Sequence, residues 1–594
     1  MTTTIATLKS RREARAPTPA SLAAFEVKAA LFRLRRSVVE LGRAPARLAR
    51  AADVRTDDDP YGHLVAQSVT GLWTDPALSE QAMQLGKVQN LRRAAAALDG
   101  LELPAGAVFS FWRQVGRATS ARGFVRGRML REGCLVPAIG GGLCQLSNAL
   151  YDVALAAGCR IVERHAHSRR VPGSAAAEDR DATVAWNYVD LRFAAPAAMR
   201  LGVRLTDRDL IVSLRTSTPF VAPPEARGPA ASPALRREAA SCGACDETDC
   251  ALHEGGRGRA VALGCRAFIV DESWPEFRDF VAAERAAADA ICAPDFRHWS
   301  SGDFAEAYAA TPQGLVRSLG WRLTPPQGAA RRNADAGATA AIAQALARRL
   351  PVDATELVVA QSLLPALWQA GALGGRRFQV LMTRLPVAAL QARLDAAFAA
   401  HPDRSTLADY RADPRMAAAE AEALAAAAAI VTPHAEIAAL FGERARRLDW
   451  RMPAPPAAPQ PARGPKPDDV FAFPGPTVAR KGAYELREAA RRLGVKLRPM
   501  GAELEGPDFW RGIELAPAPP GASWLEGVRA VVHPALAEAA PRRLLEALAA
   551  GIPVITTPAA GIAPRPGLTL VPMDDVEALA AAMAAAAGPQ SLTP

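Results

Sequence analysis

Short apolar runs alternate with helical stretches along the second half of the chain, and this alternation restricts the fold more than any other feature. The apolar runs lie at 262–272, 356–361, 377–383 and 428–434. Helical stretches such as 338–350 separate them. Strands buried on both faces form continuous apolar runs, and parallel strands need helical crossovers. The sequence therefore predicts an α/β region, with a parallel sheet covered by helices.

A proline-rich segment at 453–467 interrupts this pattern, and a second alternating set follows it. The apolar runs of the second set lie at 469–475, 496–501, 530–534, 553–557 and 568–572. Two Rossmann-like domains joined by a proline-rich hinge are expected to leave a cleft between them.

The segment from His533 to Gly561 resembles the donor-binding end of GT-B glycosyltransferases, and this resemblance covers about 260–590. Glu538 and Glu546 have that family's spacing of two glutamates, and Gly551 precedes the apolar strand as expected. The resemblance implies a nucleotide-sugar donor, with Glu546 accepting hydrogen bonds from ribose hydroxyls and Glu538 meeting the sugar as a catalytic candidate.

The segment from Phe473 to Gly494 resembles the first strand–loop–helix of the same family's C-terminal half. Gly475 and Lys481 then belong to the donor site, where the lysine meets the diphosphate. A loop that enters a helix N-terminus beside a cation suits a pyrophosphate. Pro476 stands where the family usually has an arginine. Asp271, Glu272 and His434 are the candidates for a general base.

In the first half, three successive glycines, Gly140 to Gly142, lead directly into Cys144. Such a run is costly in chain entropy, so it indicates a sharp turn or a close approach of two backbone segments. A helix-like apolar run follows. Free N–H groups at a helix start lower the pKa of a thiol and attract anions.

This stretch resembles the VanW family, and the resemblance covers about 90–193 in an α+β region. The motifs that carry it are LPAGAVFSFWRQVG, GGGLCQLS, RHAHS, DATV and YVDLRF. The resemblance by itself implies no specific reaction.

Cys144, a following histidine and Asp181 permit a thiol nucleophile with a histidine base and an orienting carboxylate. Both His165 and His167 are candidates for the base, and His165 is taken as the first choice. The alternative is that Cys144 is a small buried side chain and that the polar groups form structural hydrogen bonds.

A cysteine-rich segment lies between the two halves. Its candidate metal ligands are Cys242, Cys245, Cys250, His253 and Cys265. A pair of thiolates two residues apart can hold one ion from a tight turn. The spacing leaves open zinc, an iron–sulfur cluster, reduced structural thiols or a redox pair.

The chain carries 71 basic and 61 acidic residues, a net charge of +10. The first 50 residues hold 11 Lys or Arg against three Glu, so the remainder is nearly balanced. We therefore expect no nucleic-acid partner. A basic helix at 21–51 could bind the inner membrane surface or a partner, or lie on its own domain with a solvated basic face. The N-terminus lacks an apolar signal core, so a cytoplasmic protein is expected.

The sequence predicts a basic N-terminal segment (1–56), a VanW-like domain (57–218), a linker (219–238) and a cysteine-rich knuckle (239–266). Two Rossmann-like GT-B domains follow (267–452 and 468–594), joined by the proline-rich hinge (453–467). The predicted function is sugar transfer from a nucleotide-sugar to a cell-envelope or surface-glycan acceptor, which can be lipid-linked. A thiol enzyme dependent on Cys144 and a non-catalytic scaffold are the alternatives.

Overall fold

The computed structural model divides the chain into two compact units. The first contains Met1–Ala267 with Leu346–Leu357 and Leu367–Arg377, and the second contains Phe268–Ala345, Val358–Ala366 and Phe378–Pro594. The structure describes residues 18–42, 44–50, 60–75, 78–131, 134–167, 180–221, 240–241, 265–297, 299, 302–324, 329–409, 411–454, 470–517 and 523–587.

The first unit is α+β, as predicted. Its helices are α1 (Pro19–Val39), α2 (Leu78–Leu98), α3 (Phe111–Val115) and α4 (Leu143–Ala156). Its strands are β1 (His63–Gly71), β2 (Leu101–Leu103), β3 (Val108–Ser110), β4 (Arg126–Arg131), β5 (Cys134–Ile139), β6 (Arg160–Glu163), β7 (Arg192–Ala194), β8 (Met199–Leu205), β9 (Asp209–Thr216) and β10 (Ala240–Ser241).

Three small sheets surround helix α4 and helix α2 in the first unit. Their strand orders are β1-β9-β8-β2, β3-β7-β6 and β10-β5-β4. The apolar face of α4, including Leu146, Leu150 and Tyr151, is fully buried in the core that these elements share. Helix α4 is therefore held rigidly, and so is the cysteine in its first turn.

Two alternating runs of the first unit, at 107–112 and 184–193, have the pattern of strands but form only short ones. The alternating run around Phe109 predicted one strand, but β3 ends at Ser110, whose hydroxyl oxygen accepts a hydrogen bond from the backbone N–H of Arg113 at 3.2 Å. Because this bond caps a helix, the chain turns into α3. The run before Phe193 forms only the short strand β7.

The second unit contains two α/β lobes. Strands of the first lobe are β11 (Cys265–Ile269), β12 (Ala290–Ala293), β13 (Glu306–Ala309), β14 (Ala354–Ala360), β15 (Arg377–Leu381), β16 (Ala429–Thr432) and β17 (Ala445–Arg447). Its helices are α5 (Pro275–Glu284), α6 (Thr311–Leu323), α7 (Ala329–Ala347), α8 (Leu364–Gln369), α9 (Val387–Ala400), α10 (Pro414–Ala426) and α11 (Ala435–Phe441).

The second lobe is smaller. Its strands are β18 (Val470–Phe473), β19 (Lys496–Pro499), β20 (Val528–His533), β21 (Val554–Thr556) and β22 (Leu568–Leu570), and its helices are α12 (Ala483–Leu493), α13 (Arg542–Ala549) and α14 (Val576–Ala587).

The strand orders are those of two Rossmann-like sheets. The first lobe has the order β13-β12-β11-β14-β15-β16-β17, and the second has β19-β18-β20-β21-β22, all parallel. Chain order reverses beside β11 and beside β18, and ligands of such sheets bind at the carboxyl ends of strands near that reversal. The predicted multidomain fold, α+β followed by GT-B, is confirmed.

Helix α1 is shorter than predicted and lies on the first unit. No described helix combines the length and the apolar character that a membrane crossing requires. The guanidinium of Arg36 forms an ion pair with Glu163, and Arg33 Nε donates to the carbonyl oxygen of Trp186 at 2.9 Å. These basic side chains face the domain, so the expectation of a solvated basic face is wrong for them.

Candidate functional site

The glycine turn before helix α4 is a place where two backbone segments touch. A Cβ atom on Gly141 would lie 2.2 Å from the carbonyl oxygen of Gly127, and one on Gly142 would lie 2.2 Å from Lys87 Cγ. Gly142 also has a φ of +97°, which favours glycine. The glycine turn can therefore pack closely against β4 and α2. This packing fixes the position of the start of α4, where Cys144 lies.

Cys144 occupies the second position of α4. Its thiol contacts the hydroxyl of Thr183 at 3.5 Å, and the side chain is half-buried. The first N–H groups of a helix have no intrahelical acceptor. The backbone N–H groups of Leu143 and Cys144 are therefore among the donors without an intrahelical acceptor at the helix end that carries the thiol.

Two further side chains meet Cys144. His167 is hydrogen-bonded to the thiol, and its Nδ1 lies 2.6 Å from Asp181 Oδ1. Asp181 Oδ2 also accepts the backbone N–H of His167 at 2.7 Å. Because Asp181 is bonded to Nδ1 of His167, the hydrogen bond of His167 with the Cys144 thiol uses the other ring nitrogen, Nε2. The arrangement is nucleophile, base and orienting carboxylate.

The charges of this group are coupled. Burial lowers the pKa of His167, but the neighbouring Cys144 thiolate and the hydrogen bond from Asp181 outweigh it and raise that pKa to about 10. Burial raises the pKa of Cys144, yet the charge and hydrogen bond of His167 lower it overall. Each group therefore stabilises the charged form of the other, thiolate beside imidazolium.

His165 does not belong to the group formed by Cys144, His167 and Asp181. Its Nε2 lies 3.1 Å from Glu163 Oε1, and its side chain is 47% exposed. The choice of His165 as the base is therefore corrected to His167. The two histidines lie in a segment without regular structure, where sequence periodicity does not show which side chain turns inward.

Cys144 opens into a cavity of about 670 Å³ within the first unit. Lys87 also lines this cavity and is only 5% exposed. Burial lowers the pKa of Lys87 to about 7, and the charge of Arg128 acts in the same direction. No described carboxylate forms an ion pair with its ammonium group, although Asp75 is near enough to oppose the shift. No sequence motif marks this lysine, because it lies inside the long helix α2.

The second unit brings together the residues that the GT-B resemblance singled out. Strand β18 ends at Phe473, and a loop then leads to α12. A Cβ on Gly475 would lie 3.0 Å from His533 Cε1 and 3.7 Å from Lys481 Cγ, so this loop passes close to the end of β20. Gly475 and Lys481 thus share one site with the loop that follows β20.

The centre of this site is an ion pair. Lys481 Nζ donates to Glu538 Oε2 at 2.7 Å and to the carbonyl oxygen of Ala537 at 2.9 Å. His533 Nε2 lies 3.0 Å from the same oxygen of Glu538, and the backbone N–H of Ala540 donates to the other oxygen at 2.9 Å.

The pKa shifts of this site follow from burial and pairing. Burial raises the pKa of Glu538, but the hydrogen bond of His533 and the charge of Lys481 lower it far below its usual range. Burial also lowers the pKa of Lys481 and of His533, and the nearby charge of Arg480 acts in the same direction on both. The carboxylate is therefore ionised, and its two neighbours are held in place around it.

Glu546 lies on α13, after the loop that carries Glu538. It is half-buried, and no side chain of the described residues forms a hydrogen bond with its carboxylate. On the same helix, Arg543 Nη1 donates to the carbonyl oxygen of Pro474 at 3.1 Å, which ties α13 to the loop of Gly475.

The comparisons with known proteins fit these two sites. The protein-family model described as VanW like protein matches residues 86–215, and the model described as Glycosyl transferases group 1 matches residues 509–587. The chain carries a VanW domain and a group 1 glycosyltransferase domain. The VanW domain contains Cys144, His167 and Lys87, and the glycosyltransferase match contains Glu538 and Glu546.

Two relatives match the VanW domain. The protein YoaR of Bacillus subtilis is 36% identical over 104 residues, which are 18% of this chain and 34% of that protein. The vancomycin B-type resistance protein VanW of Enterococcus faecalis is 33% identical over 136 residues, 22% of this chain and 49% of that protein. The chain therefore spans between a third and a half of the length of these relatives.

Solved structures match the GT-B part at low similarity. The lipopolysaccharide outer core galactosyltransferase WaaB is 14% identical with a TM-score of 0.32, covering 53% of this chain and 88% of that one. The sucrose-phosphate synthase of Thermosynechococcus elongatus is 16% identical with a TM-score of 0.35, covering 55% and 92%. The GT-B fold is shown by the strand orders of the two sheets and by the group 1 glycosyltransferase match.

The candidate general bases of the GT-B part are engaged in other contacts. Asp271 accepts two hydrogen bonds from Arg317, at 2.6 and 2.9 Å, and Glu272 pairs with Arg384 at 3.1 Å. His434 Nε2 lies 3.0 Å from the carbonyl oxygen of Glu538. His434 thus positions the Glu538 loop, and its pKa is lowered by burial.

Most of the predicted metal site lies outside the described residues, including Cys242, Cys245, Cys250 and His253. Cys265 is described and half-buried at the start of β11. Among the residues that the structure covers, no group of three His, Cys, Asp or Glu could hold a metal ion. The zinc or iron–sulfur site stays a prediction.

Proposed function

We propose that the second unit transfers a sugar from a nucleotide-sugar donor to an acceptor hydroxyl. The observation that carries the proposal is the cluster of Lys481, Glu538 and His533, with Glu546 on the following helix. This cluster lies at the carboxyl ends of β18 and β20, beside the strand reversal at which α/β sheets bind ligands. The group 1 glycosyltransferase match over 509–587 supports the assignment.

In this proposal each group has one role. Lys481, assisted by Arg480, offsets the charge of the diphosphate, as cations beside a helix N-terminus do. Arg480 would thereby supply the charge that Pro476 lacks. Glu546 accepts hydrogen bonds from the ribose hydroxyls, and Glu538 binds a hydroxyl of the sugar.

The transfer balances without a redox partner. The bond between the anomeric carbon and the diphosphate oxygen breaks, and the acceptor oxygen bonds to that carbon. The electron pair leaves with the nucleoside diphosphate, and the acceptor proton is released. A preorganised cation at the diphosphate stabilises the charge that develops there.

We place the acceptor among cell-envelope or surface glycans, including lipid-linked ones. Support comes from the VanW domain, because one relative is named for vancomycin resistance. A cytoplasmic location at the inner membrane surface is part of this proposal. Helix α1 supports it with an apolar stripe of Val27, Leu31, Leu34 and Val38, each more than half exposed. Flotation with anionic vesicles, lost in Leu31→Glu, tests the membrane part.

The donor is tested with the purified full-length protein. UDP-, GDP- and ADP-linked hexoses are added one at a time, and release of the nucleoside diphosphate is measured together with the thermal shift. One nucleotide family should stabilise the protein and be hydrolysed slowly. Glu546→Gln should reduce both effects about tenfold or more, as loss of a hydrogen bond to a bound ligand does.

The matched control is Glu514→Gln. Glu514 pairs with Lys496 on the surface of the same lobe, with a side chain 66% exposed. This variant should behave as wild type. Absence of any stabilisation or hydrolysis across the donor panel, with the wild-type protein folded, contradicts the proposal.

A further inference from the structure

We propose that the VanW domain is a second catalytic domain, in which Cys144, His167 and Asp181 transfer an acyl group from a carboxylate-bearing amide, and Lys87 binds that carboxylate. The proposal is independent of the sugar-transfer function of the second unit. Three observations carry it: the contacts of the thiol, the position of the helix start, and the cavity with its buried lysine.

The first observation is the chain of contacts at the thiol. Asp181 holds Nδ1 of His167 at 2.6 Å and its backbone N–H at 2.7 Å, so the ring has one orientation. The side chains of His167 and Asp181 are 9% and 10% exposed. A structural hydrogen-bond network does not require a thiol that lines a cavity at its end, whereas a nucleophile must be reached by its substrate.

The second observation is the helix start. Cys144 lies in the first turn of the 14-residue helix α4, preceded by the glycine turn. The N–H groups of Leu143 and Cys144 have no intrahelical acceptor and point toward the end of the helix where the thiol lies. Such paired donors stabilise the oxyanion that forms when a carbonyl carbon is attacked.

The third observation is the cavity. Lys87 lines it together with Cys144 and His167, and a buried ammonium without a paired carboxylate is costly. Two arginines of the cavity wall already have partners: Arg131 pairs with Glu26 at 2.8 Å, and Arg180 pairs with Asp152 at 3.1 Å. Lys87 is only 5% exposed, so a substrate carboxylate bound beside it would have a counter-charge that water screens little.

The lining of the cavity suits an organic ligand. Trp112, Trp186 and Tyr188 contribute aromatic walls, and Phe25 and Arg33 of helix α1 also line it. Apolar walls with a few placed polar groups are typical of sites for organic ligands. A peptide with a free carboxylate supplies both an acyl group for Cys144 and a charge for Lys87.

The reaction balances with the groups present. The thiolate Sγ attacks the carbonyl carbon, and the N–H groups of the helix start bind the oxyanion. The carbon–nitrogen bond breaks as His167 gives its proton to the departing amine, which leaves a thioester on Cys144. Water or an acceptor amine then attacks the thioester, the carbon–sulfur bond breaks, and the released proton returns to His167.

The experiment compares two activated esters on the full-length protein. Mono-4-nitrophenyl glutarate carries a carboxylate, and 4-nitrophenyl butyrate has no charge on its acyl chain. Release of 4-nitrophenolate is measured, and the adduct is located by peptide mass spectrometry. We expect acylation of Cys144, faster with the glutarate by about tenfold, the factor that one favourable charge contact of about 1.4 kcal/mol supplies.

Variants separate the roles. Lys87→Met should abolish the preference for the glutarate but keep the reaction with the butyrate, a split that a purely structural role of Lys87 would not produce. His167→Gln should slow both esters. Cys159→Ser is the control, because Cys159 is fully buried and burial raises the pKa of its thiol to about 12, so its loss should change neither rate.

Two results overturn the proposal. One is folded wild-type protein without an adduct on Cys144, and the other is equal rates for the two esters. If His167→Gln fails to fold, the pH dependence of Cys144 alkylation by iodoacetamide in the wild type replaces it, and a midpoint at or above that of an ordinary thiol then counts against the site. Glu546→Gln should acylate normally, which separates this test from that of sugar transfer.

Discussion

Asp181 holds His167 by both of its oxygens, one on the ring nitrogen Nδ1 and one on the backbone N–H. This double contact orients the ring toward Cys144 and raises the pKa of the imidazole, in combination with the thiolate. The carboxylate thus acts on the thiol through the histidine, as a positioning residue.

Asp181→Asn should raise the pH at which Cys144 becomes reactive. Loss of the carboxylate charge lowers the pKa of His167 from about 10. A neutral imidazole no longer stabilises the thiolate, so the pKa of Cys144 rises. The measurement is the rate of iodoacetamide alkylation of Cys144 against pH, whose midpoint should move upward by about one unit or more.

The control for this variant is Glu102→Gln. Glu102 pairs with Arg200 at 3.2 Å in the β2–β8 sheet of the same unit, away from the thiol. Its alkylation profile should match that of the wild type. An unchanged profile in Asp181→Asn would show that Asp181 has only a structural role.

The parts of the fold with strong apolar patterns were predictable from the sequence. The strands that end at Phe473, His533 and Thr556 lie where continuous apolar runs predicted them. Strands β12 and β13, with the sequences AICA and EAYA, were missed because they are short and rich in alanine, which has a low strand propensity.

The candidate sites depended on contacts that periodicity does not encode. The choice between His165 and His167 is decided by the path of an irregular loop. The sequence offers no signal for Lys87, which lies inside a helix and is approached by the glycine turn from another part of the chain. Residues 346–357 and 367–377 belong to the first unit although they are distant from it in sequence, so a boundary drawn by composition alone divides the chain too simply.

Gly141→Ala should destabilise the first unit strongly. Its Cβ would lie 2.2 Å from the carbonyl oxygen and 2.3 Å from the carbonyl carbon of Gly127, and backbone atoms cannot move aside as a flexible side chain can. We expect a loss of about 3 kcal/mol in the free energy of unfolding, because overpacking against backbone exceeds the usual cost of an added methyl.

Gly71→Ala provides the comparison, because nothing lies within 4 Å of its Cβ position. This variant should change the free energy of unfolding by less than about 1 kcal/mol. Urea unfolding of both variants, followed by circular dichroism, gives the two values. Similar losses in the two variants would contradict the close approach of the turn to β4.

Glu163→Gln should loosen helix α1. Glu163 pairs with Arg36 of that helix and with Arg192, and both partners are less than a fifth exposed. Arg36 and Arg192 both keep Glu40 as a second partner, so the substitution removes part of their compensation, at a cost of about 1 kcal/mol. Hydrogen exchange of residues 19–39 should rise in the variant. Glu26→Gln on the same helix is the control, because Glu26 is 55% exposed and its pair with Arg131 should contribute little.

Lowering the pH should loosen helix α1, as Glu163→Gln does. Burial raises the pKa of Glu163, but hydrogen bonds from His165 and Arg36 and the charges of Arg36 and Arg192 outweigh it and lower that pKa to about 2. A carboxyl group with a lowered pKa stabilises the folded state above its unfolded value near 4.5 and loses that contribution as the pH falls toward 2. Exchange of α1 should therefore increase over this interval in the wild type, and a flat profile in that range would contradict the ion pair.

Glu538 and Glu546 should respond differently to the same substitution. Glu538 is tied to Lys481, His533 and the N–H of Ala540, so Glu538→Gln leaves a buried lysine without its counter-charge. We expect a loss of about 3 kcal/mol in stability together with weaker donor binding. Glu546→Gln should weaken donor binding without a change in melting temperature, because no described side chain depends on that carboxylate. Differential scanning calorimetry with and without nucleoside diphosphate separates the two effects, and a lower melting temperature in Glu546→Gln without ligand would show that Glu546 is structural.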